Sequence, residues 1–478
     1  MATNPDAGQQ AVTAKITALA LGRLADPNQR AKALVFTLLL ALVAVYSAIV
    51  PPLQSPDECS HLKRAYLLTR GVIMLDVHPT HGSGGMIDQG LAAFIAAHLY
   101  LPHNEGNTVT RAMQRSANDI AWTKKTVFEP APGAGYYFPL IYAPHAIGLG
   151  LGELFGLSLY HSYLLTRFTL SATCLALIFL ALGIYRPNFL VLTLLLLPMS
   201  VFQLATVNID GLTTALTLVA VGLFLRVADR RLEFRPWMSH AMAVAVFILV
   251  TCRPHLLPLL ALPFVCALLR RSKRDLLLGL LVTVASLGWI GLSMSITMDL
   301  RQSRDLGVSQ LLLFYLTHPR VFFSLLWNTL QNDDLLLFYR ESFIGVLGWL
   351  DAKLADHYYA ATSYFLIFTA LISLSINNIR QDYPARLLLL FMALASLALI
   401  FFALLIAWTP HPSKVITGVQ GRYFITPAII FAYALSGSAN VFSLKRPALA
   451  SPAIAAWFIA SAYHLAHTLV LRYYATQG

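Results

Sequence analysis

Charge is scarce in this chain. Only 12% of its 478 residues are Asp, Glu, Lys or Arg, against 57% hydrophobic, which excludes an ordinary soluble globule. Acid is scarcer still: 22 acidic residues face 34 Lys and Arg, a formal net charge of +12. That excess does not point to nucleic acid, because the basic residues collect in short clusters between apolar runs, at Arg226 to Arg235, Arg270 to Arg274 and Lys445-Arg446. Such clusters are the cytoplasmic anchors of membrane helices. Cysteine is nearly missing. Cys59, Cys174, Cys252 and Cys266 are scattered, which excludes a disulfide framework and a cysteine metal site. A Walker loop, a dinucleotide glycine fingerprint, a G-x-S-x-G elbow and an internal repeat are all missing too.

What the chain has in abundance is long apolar runs, so an all-α, polytopic transmembrane protein is expected. Ala33 to Val50 is the first span. Met1 to Lys32 is polar and should remain in the cytoplasm, with Arg30 and Lys32 at the mouth of that span. Between the loop that follows, which is then outside, and the basic cluster Arg226 to Arg235, which is inside, the number of crossings must be odd. Four candidates lie there: Pro139 to Leu157, Tyr163 to Ile184, Asn188 to Ala205 and Gly211 to Arg226. Pro139 to Leu157 carries Pro139, Pro144, His145, Glu153 and several glycines. It is read as re-entrant or interfacial.

The remaining spans are Trp237 to Thr251, Leu256 to Leu269, Leu276 to Met298, Ala361 to Leu374, Leu387 to Trp408, Phe424 to Val441 and Ser451 to Leu471. The total is about eleven, within 10 to 13. Residues 33–471 form one transmembrane domain with a tail at 472–478. Two outside loops are large, 51–138 and 299–360, and should carry short amphipathic helices. The unusual polar residues fall at the outer ends of spans or in these loops, so any chemistry belongs to the outer face. Uninterrupted spans and the missing repeat also argue against a secondary carrier.

The densest polar cluster, Ser55-Pro56-Asp57-Glu58-Cys59-Ser60-His61, sits just beyond the first span. As a helix start it reads well: Ser55 caps, Pro56 is the first helical residue, and Glu58 completes a capping box. Helical geometry then puts Asp57, His61 and Arg64 on one stripe and turns Glu58 toward Leu62 and Ala65. Glu58 is open to two readings, cap or catalyst.

P-D-E-x-x-H after span one is followed by R-A-Y-x-L-x-R-G (Arg64 to Gly71). Farther on come Tyr137-Phe138-Pro139 with Tyr142-Ala143-Pro144, then Arg167, Asn208-Ile209-Asp210 and Arg253-Pro254. Gly345 to Asp351 and Gly418 to Phe424 complete the set. Together they resemble, from about Val50 to Ile430, a bacterial family of multispan membrane proteins and the wider GT-C glycosyltransferase superfamily. The resemblance implies inverting transfer of a sugar from a polyprenyl-phosphate donor to a glycan, lipid or cell-envelope acceptor at the outer face of a bacterial inner membrane.

Asp57 or Glu58 would be the general base. Lys63, Arg64, Arg253, Arg340 and Arg422 are available to the lipid phosphate, arginine suiting bidentate contact. His61, Tyr137, Arg167, Asn208, Asp210, Trp349, Asp351, Gln420 and Tyr423 are expected to line the substrate site. Bland readings stand beside these: Arg253 and Arg320 as headgroup contacts, Trp349 as an interfacial anchor. No cofactor is expected; Asp57 and His61 could share a divalent metal, but no third ligand has suitable spacing. A nucleotide-sugar donor is disfavoured because no folded cytoplasmic domain is available to meet its phosphates. A polymerase or ligase of lipid-linked oligosaccharides, or a lipid or glycan carrier without chemistry, is the alternative.

Overall fold

The computed structural model describes residues 27–104, 106–229, 232–301, 306–435 and 447–475. Its first helix, α1 (Pro27–Ile49), covers the expected first span. A folded lobe follows: α2 (Glu58–Thr69), strands β1 (Asp76–His78) and β2 (Gly82–Asp88), α3 (Gln89–Ala96), α4 (Arg111–Asn118) and β3 (Thr126–Pro130). The strands form an antiparallel sheet in the order β1-β2-β3, an addition to the purely helical loop that was expected. One sheet face lies on α2, where Gly85 leaves room for Leu67.

The doubtful segment Pro139 to Leu157 becomes a 3-10 turn and α5 (Ala143–Leu154). At 12 residues, roughly 18 Å, α5 is too short to cross a ~30 Å hydrocarbon core. Its glycines have a packing role. A Cβ at Gly148 would lie 2.5 Å from Thr166 Cα, and one at Gly152 2.7 Å from Ser162 Cα. These two residues, four apart, let α5 press directly on the backbone of α6 (Leu159–Ile184), as small residues do between membrane helices.

Asn188 to Ala205 departs from expectation. It is not one continuous helix but two short buried ones in series, α7 (Phe189–Leu195) and α8 (Pro198–Leu204), which carry the chain from the end where Arg226 meets Ile184 to the end where Asn208 meets Ser55. Pro198 cannot donate to the preceding turn, so the helix stops and restarts there. Then come α9 (Asp210–Ala228), α10 (Trp237–Cys252), a 3-10 segment Pro254–Leu260, α11 (Ala261–Arg270) and α12 (Lys273–Ile296).

The second large loop holds α13 (Val308–Thr317), α14 (Pro319–Leu330), α15 (Asp333–Ile344) and a β4-β5 hairpin (Val346–Leu347, Ala352–Lys353). The last elements are α16 (Asp356–Ser373), α17 (Ile376–Gln381), α18 (Tyr383–Ala407), α19 (Ile425–Ala434) and α20 (Pro447–Tyr473). The expected span Phe424 to Val441 is described only to residue 435.

Among the described residues, α6, α9, α12 and α18 are long and apolar enough to cross a membrane. Shorter apolar helices lie at Phe36–Ile49, Trp237–Cys252, Pro254–Arg270 and Val308–Thr317.

The helices give the bundle two chemically different ends. α9 has 19 residues, roughly 28 Å, and separates Asp210 at its start from Arg226 at its end. α10 separates Arg235 from Arg253 in the same way, and α12 separates Lys273 and Arg274 from Asp299 and Arg301. Arg226, Arg235, Lys273 and Arg274 therefore gather at one end, while Lys445-Arg446 lies outside the described residues. The Asp-Glu-His motif lies at the other.

Candidate active site

The cluster after the first span does not form the expected capping box. α2 begins at Glu58, and Asp57 before it adopts the left-handed conformation, φ 65°. Ser55 Oγ accepts from Asn208 instead of capping. Half of the box survives, because Glu58 accepts from the Ser55 N–H at 3.0 Å. The turn at Asp57 also breaks the expected stripe and sends the two acids in opposite directions.

Glu58 is completely buried. Its carboxylate accepts from Tyr163 Oη at 2.5 Å and from the Val207 N–H at 2.7 Å. Burial pushes it above the usual carboxylate range, against the opposing pull of Arg167 and these hydrogen bonds. Every approach is occupied, so Glu58 is a structural anchor tying α2 to α6 and to the segment before α9.

Asp57 is the open acid, with 44% of its side chain exposed. Arg422 donates to it at 3.0 Å and Arg301 lies 3.8 Å away. Desolvation pushes the Asp57 carboxyl up, but the groups beside it, Arg422 foremost, outweigh it and hold it below the usual range. It is thus an ionised carboxylate with accessible lone pairs, the state a general base requires.

Charges alternate from there. Arg422 reaches Asp210 at 3.4 Å with its other nitrogen, and Asp210 is paired with Arg253. The series Arg301, Asp57, Arg422, Asp210, Arg253 thus joins residues from opposite parts of the chain. Both acids have an arginine at each oxygen, but 44% of the Asp57 side chain is exposed against 11% of Asp210.

Aromatic groups line the series. Tyr423 Oη accepts from Arg422 at 3.2 Å, the Arg253 guanidinium lies 5.6 Å from the Tyr137 ring, and Arg301 lies 5.4 Å from Trp408. His61 holds Tyr142 Oη through Nδ1 at 2.9 Å, and burial pushes its imidazole down to about 3. It is neutral at neutral pH. Asp57 and His61 therefore point to different partners, and among the described residues no three His, Cys, Asp or Glu side chains converge on a common point.

Several expected ligands are occupied elsewhere. Lys63 donates to Glu129 at 2.7 Å and to the Pro130 carbonyl. Arg64, almost fully buried, donates to the carbonyls of Val72 and Ile73 and pins the chain leaving α2. Arg167 donates to the carbonyls of Ser47, Val50 and Pro51, satisfying the orphaned end of α1. Asn208 joins Ser55 to the turn before α9.

Trp349 donates to the Leu53 carbonyl at 2.9 Å, a hydrogen-bonded post rather than a bare interfacial ring. Asp351 is buried against Arg472 at 2.8 Å, with the His103 and Trp349 N–H groups on the same carboxylate. Arg340 is exposed on α15. Gln420 precedes the 3-10 turn Gly421–Phe424 that carries Arg422, with no side-chain hydrogen bond to it. Lys63, Arg64, Arg167, Asn208, Trp349 and Asp351 thus each hold a contact within the protein, while Arg340 is exposed.

Sequence reasoning missed Arg301 and Asp299, and named Tyr142 in a motif without assigning it to the site. Arg301 and Asp299 follow the end of α12 as Asp57 follows α1, and that parallel was the available signal. Asp299 accepts from Arg301 at 2.6 Å, which points the guanidinium toward Asp57.

No curated protein is matched by this sequence. Residues 39–431 match the family described as "Predicted membrane protein (DUF2142)". That stretch takes in the whole alternating series from Asp57 to Arg422, and the chain belongs to this family of membrane proteins.

Proposed function

We propose that this chain is a GT-C-like membrane glycosyltransferase. It moves a sugar from a polyprenyl-phosphate donor, with inversion, to a glycan, lipid or envelope acceptor at the outer face of a bacterial inner membrane, crossing that membrane about eleven times. The observation that carries this reading is Asp57: an open carboxylate, held ionised, between two arginines and at the end of the bundle opposite Arg226, Arg235 and Arg274. Asp57 takes the proton from the acceptor hydroxyl. Arg422 and Arg301 meet the lipid phosphate as it departs, where preorganised cations favour developing charge. Arg253 keeps Asp210 paired, and Asp210 in turn helps fix Arg422.

A carrier without chemistry is favoured by one feature, the buried helix break at Pro198, since broken helices are typical of carriers. The two readings separate cleanly. Purified protein in vesicles, given a radiolabelled polyprenyl-phosphate hexose and an acceptor extract, should release free polyprenyl phosphate and label the acceptor. Translocation of intact donor with no release supports the carrier and removes the transferase.

A further inference from the structure

The α13–α14 hairpin belongs to a loop expected to lie outside the membrane, yet its composition is that of a membrane segment. From Val308 to Gln331 the only Asp, Glu, Lys or Arg is Arg320. One face is packed: Leu311, Tyr315, Phe322 and Leu325 form a cluster with Ile400, Phe401, Leu405 and Ile406 of α18. The other face carries Leu313 at 65% exposure, Phe323 at 62% and Trp327 at 64%, with Leu316 beside them. Large side chains this bare in one stretch mark an interaction surface.

The position of α18 identifies the occupant. With 25 residues, roughly 37 Å, α18 is long enough to cross the ~30 Å core. Its exposed stripe includes Leu387, Phe391 and Leu394. Phe402 lies eleven residues beyond Phe391, three turns on and about 20° around, so it continues that stripe. Phe322 of α14 covers it, ring edge to ring face at 5.3 Å. Phe402 is five residues, about 8 Å, from the end of α18, which is still within hydrocarbon depth. A hairpin seated on the lipid-facing stripe at that depth must itself face lipid.

We propose that the α13–α14 hairpin is immersed in the leaflet on the Arg422 side, with Leu313, Leu316, Phe323 and Trp327 against lipid acyl chains. The hairpin leads into α15, where Ser342 Oγ accepts from the Gly421 N–H at 2.7 Å. The turn carrying Arg422 is therefore backed by an element anchored in the bilayer. Arg320, at the hairpin apex, extends its guanidinium to the headgroups.

The test uses nitroxides on cysteines introduced one at a time at Leu316, Phe323 and Trp327 in a Cys59→Ser parent, whose remaining Cys174, Cys252 and Cys266 are buried, reconstituted in phosphatidylcholine vesicles. Relaxation by oxygen should exceed relaxation by a water-soluble nickel chelate at all three sites, with the order reversed at exposed Lys124. Nickel access at the three sites would make them a water-facing surface and overturn the proposal. Access by neither reagent would mean that protein covers them, which overturns it as well. In the unmodified chain, a diazirine phospholipid should label peptides within 308–331; no label there also overturns it.

Discussion

At the residue scale, Asp57 and Glu58 are adjacent in sequence and opposite in chemistry. The left-handed backbone at Asp57 itself sets them apart: it leaves Asp57 open beside Arg422 and Arg301 and buries Glu58 among three donors. The sequence displayed both acids but could not rank them, because the ranking depends on partners more than a hundred residues away. Glu58→Gln should leave turnover per folded molecule nearly unchanged while lowering thermal stability. The amide can accept from Tyr163 and Val207 but turns an N–H toward that of Ser55, a loss of about 1–3 kcal/mol. A loss of turnover with unchanged melting would show Glu58 to be the catalyst.

The pH dependence of kcat/KM follows from the cations beside Asp57. A base held low is ionised above its pKa, so the acid limb should fall below about 3.9, the unperturbed aspartate value. Arg422→Gln removes the largest lowering influence and should move that limb upward. A limb that stays in place would mean that Asp57 is not the titrating base.

At the element scale, the helices show where sequence reasoning held and where it stopped. Hydropathy located α1, α6, α9, α10, α12 and α18 because their apolar runs are long. It missed the break at Pro198, where flanking residues are apolar on both sides and only tertiary burial decides. It also missed the sheet, since β2 reads Gly-Ser-Gly-Gly-Met-Ile-Asp and has too few β-formers to signal a strand. The glycine-rich α5 was legible as a segment that does not cross, and the structure adds the reason for its glycines. Gly152→Val would force side-chain carbons into the backbone of α6 near Ser162. A loss of about 1–3 kcal/mol is expected, read as a lower melting temperature in detergent. Unchanged melting would mean that α5 and α6 are not in contact.

At the scale of the whole molecule, the parity of crossings places Asp57, Asp210, Arg253 and Arg422 at one end from sequence alone. The structure brings these four together and leaves Arg226, Arg235 and Arg274 at the far ends of their helices. What parity could not supply was the division between chemical and structural cations, since Lys63, Arg64 and Arg167 differ from Arg422 only in what they meet after folding. Membrane-impermeant labelling of cysteines at Lys124 and Arg271 should report opposite sides of the membrane; labelling from one side alone would dismantle the two-ended arrangement. The most direct test of the central claim is the release of polyprenyl phosphate from a labelled lipid-linked sugar by wild-type protein and by folded Asp57→Asn. Wild type should transfer sugar and the variant should lose at least about a hundredfold in rate, the low end for a lost general base, at unchanged melting temperature. Equal rates in the two proteins would contradict Asp57 as the base.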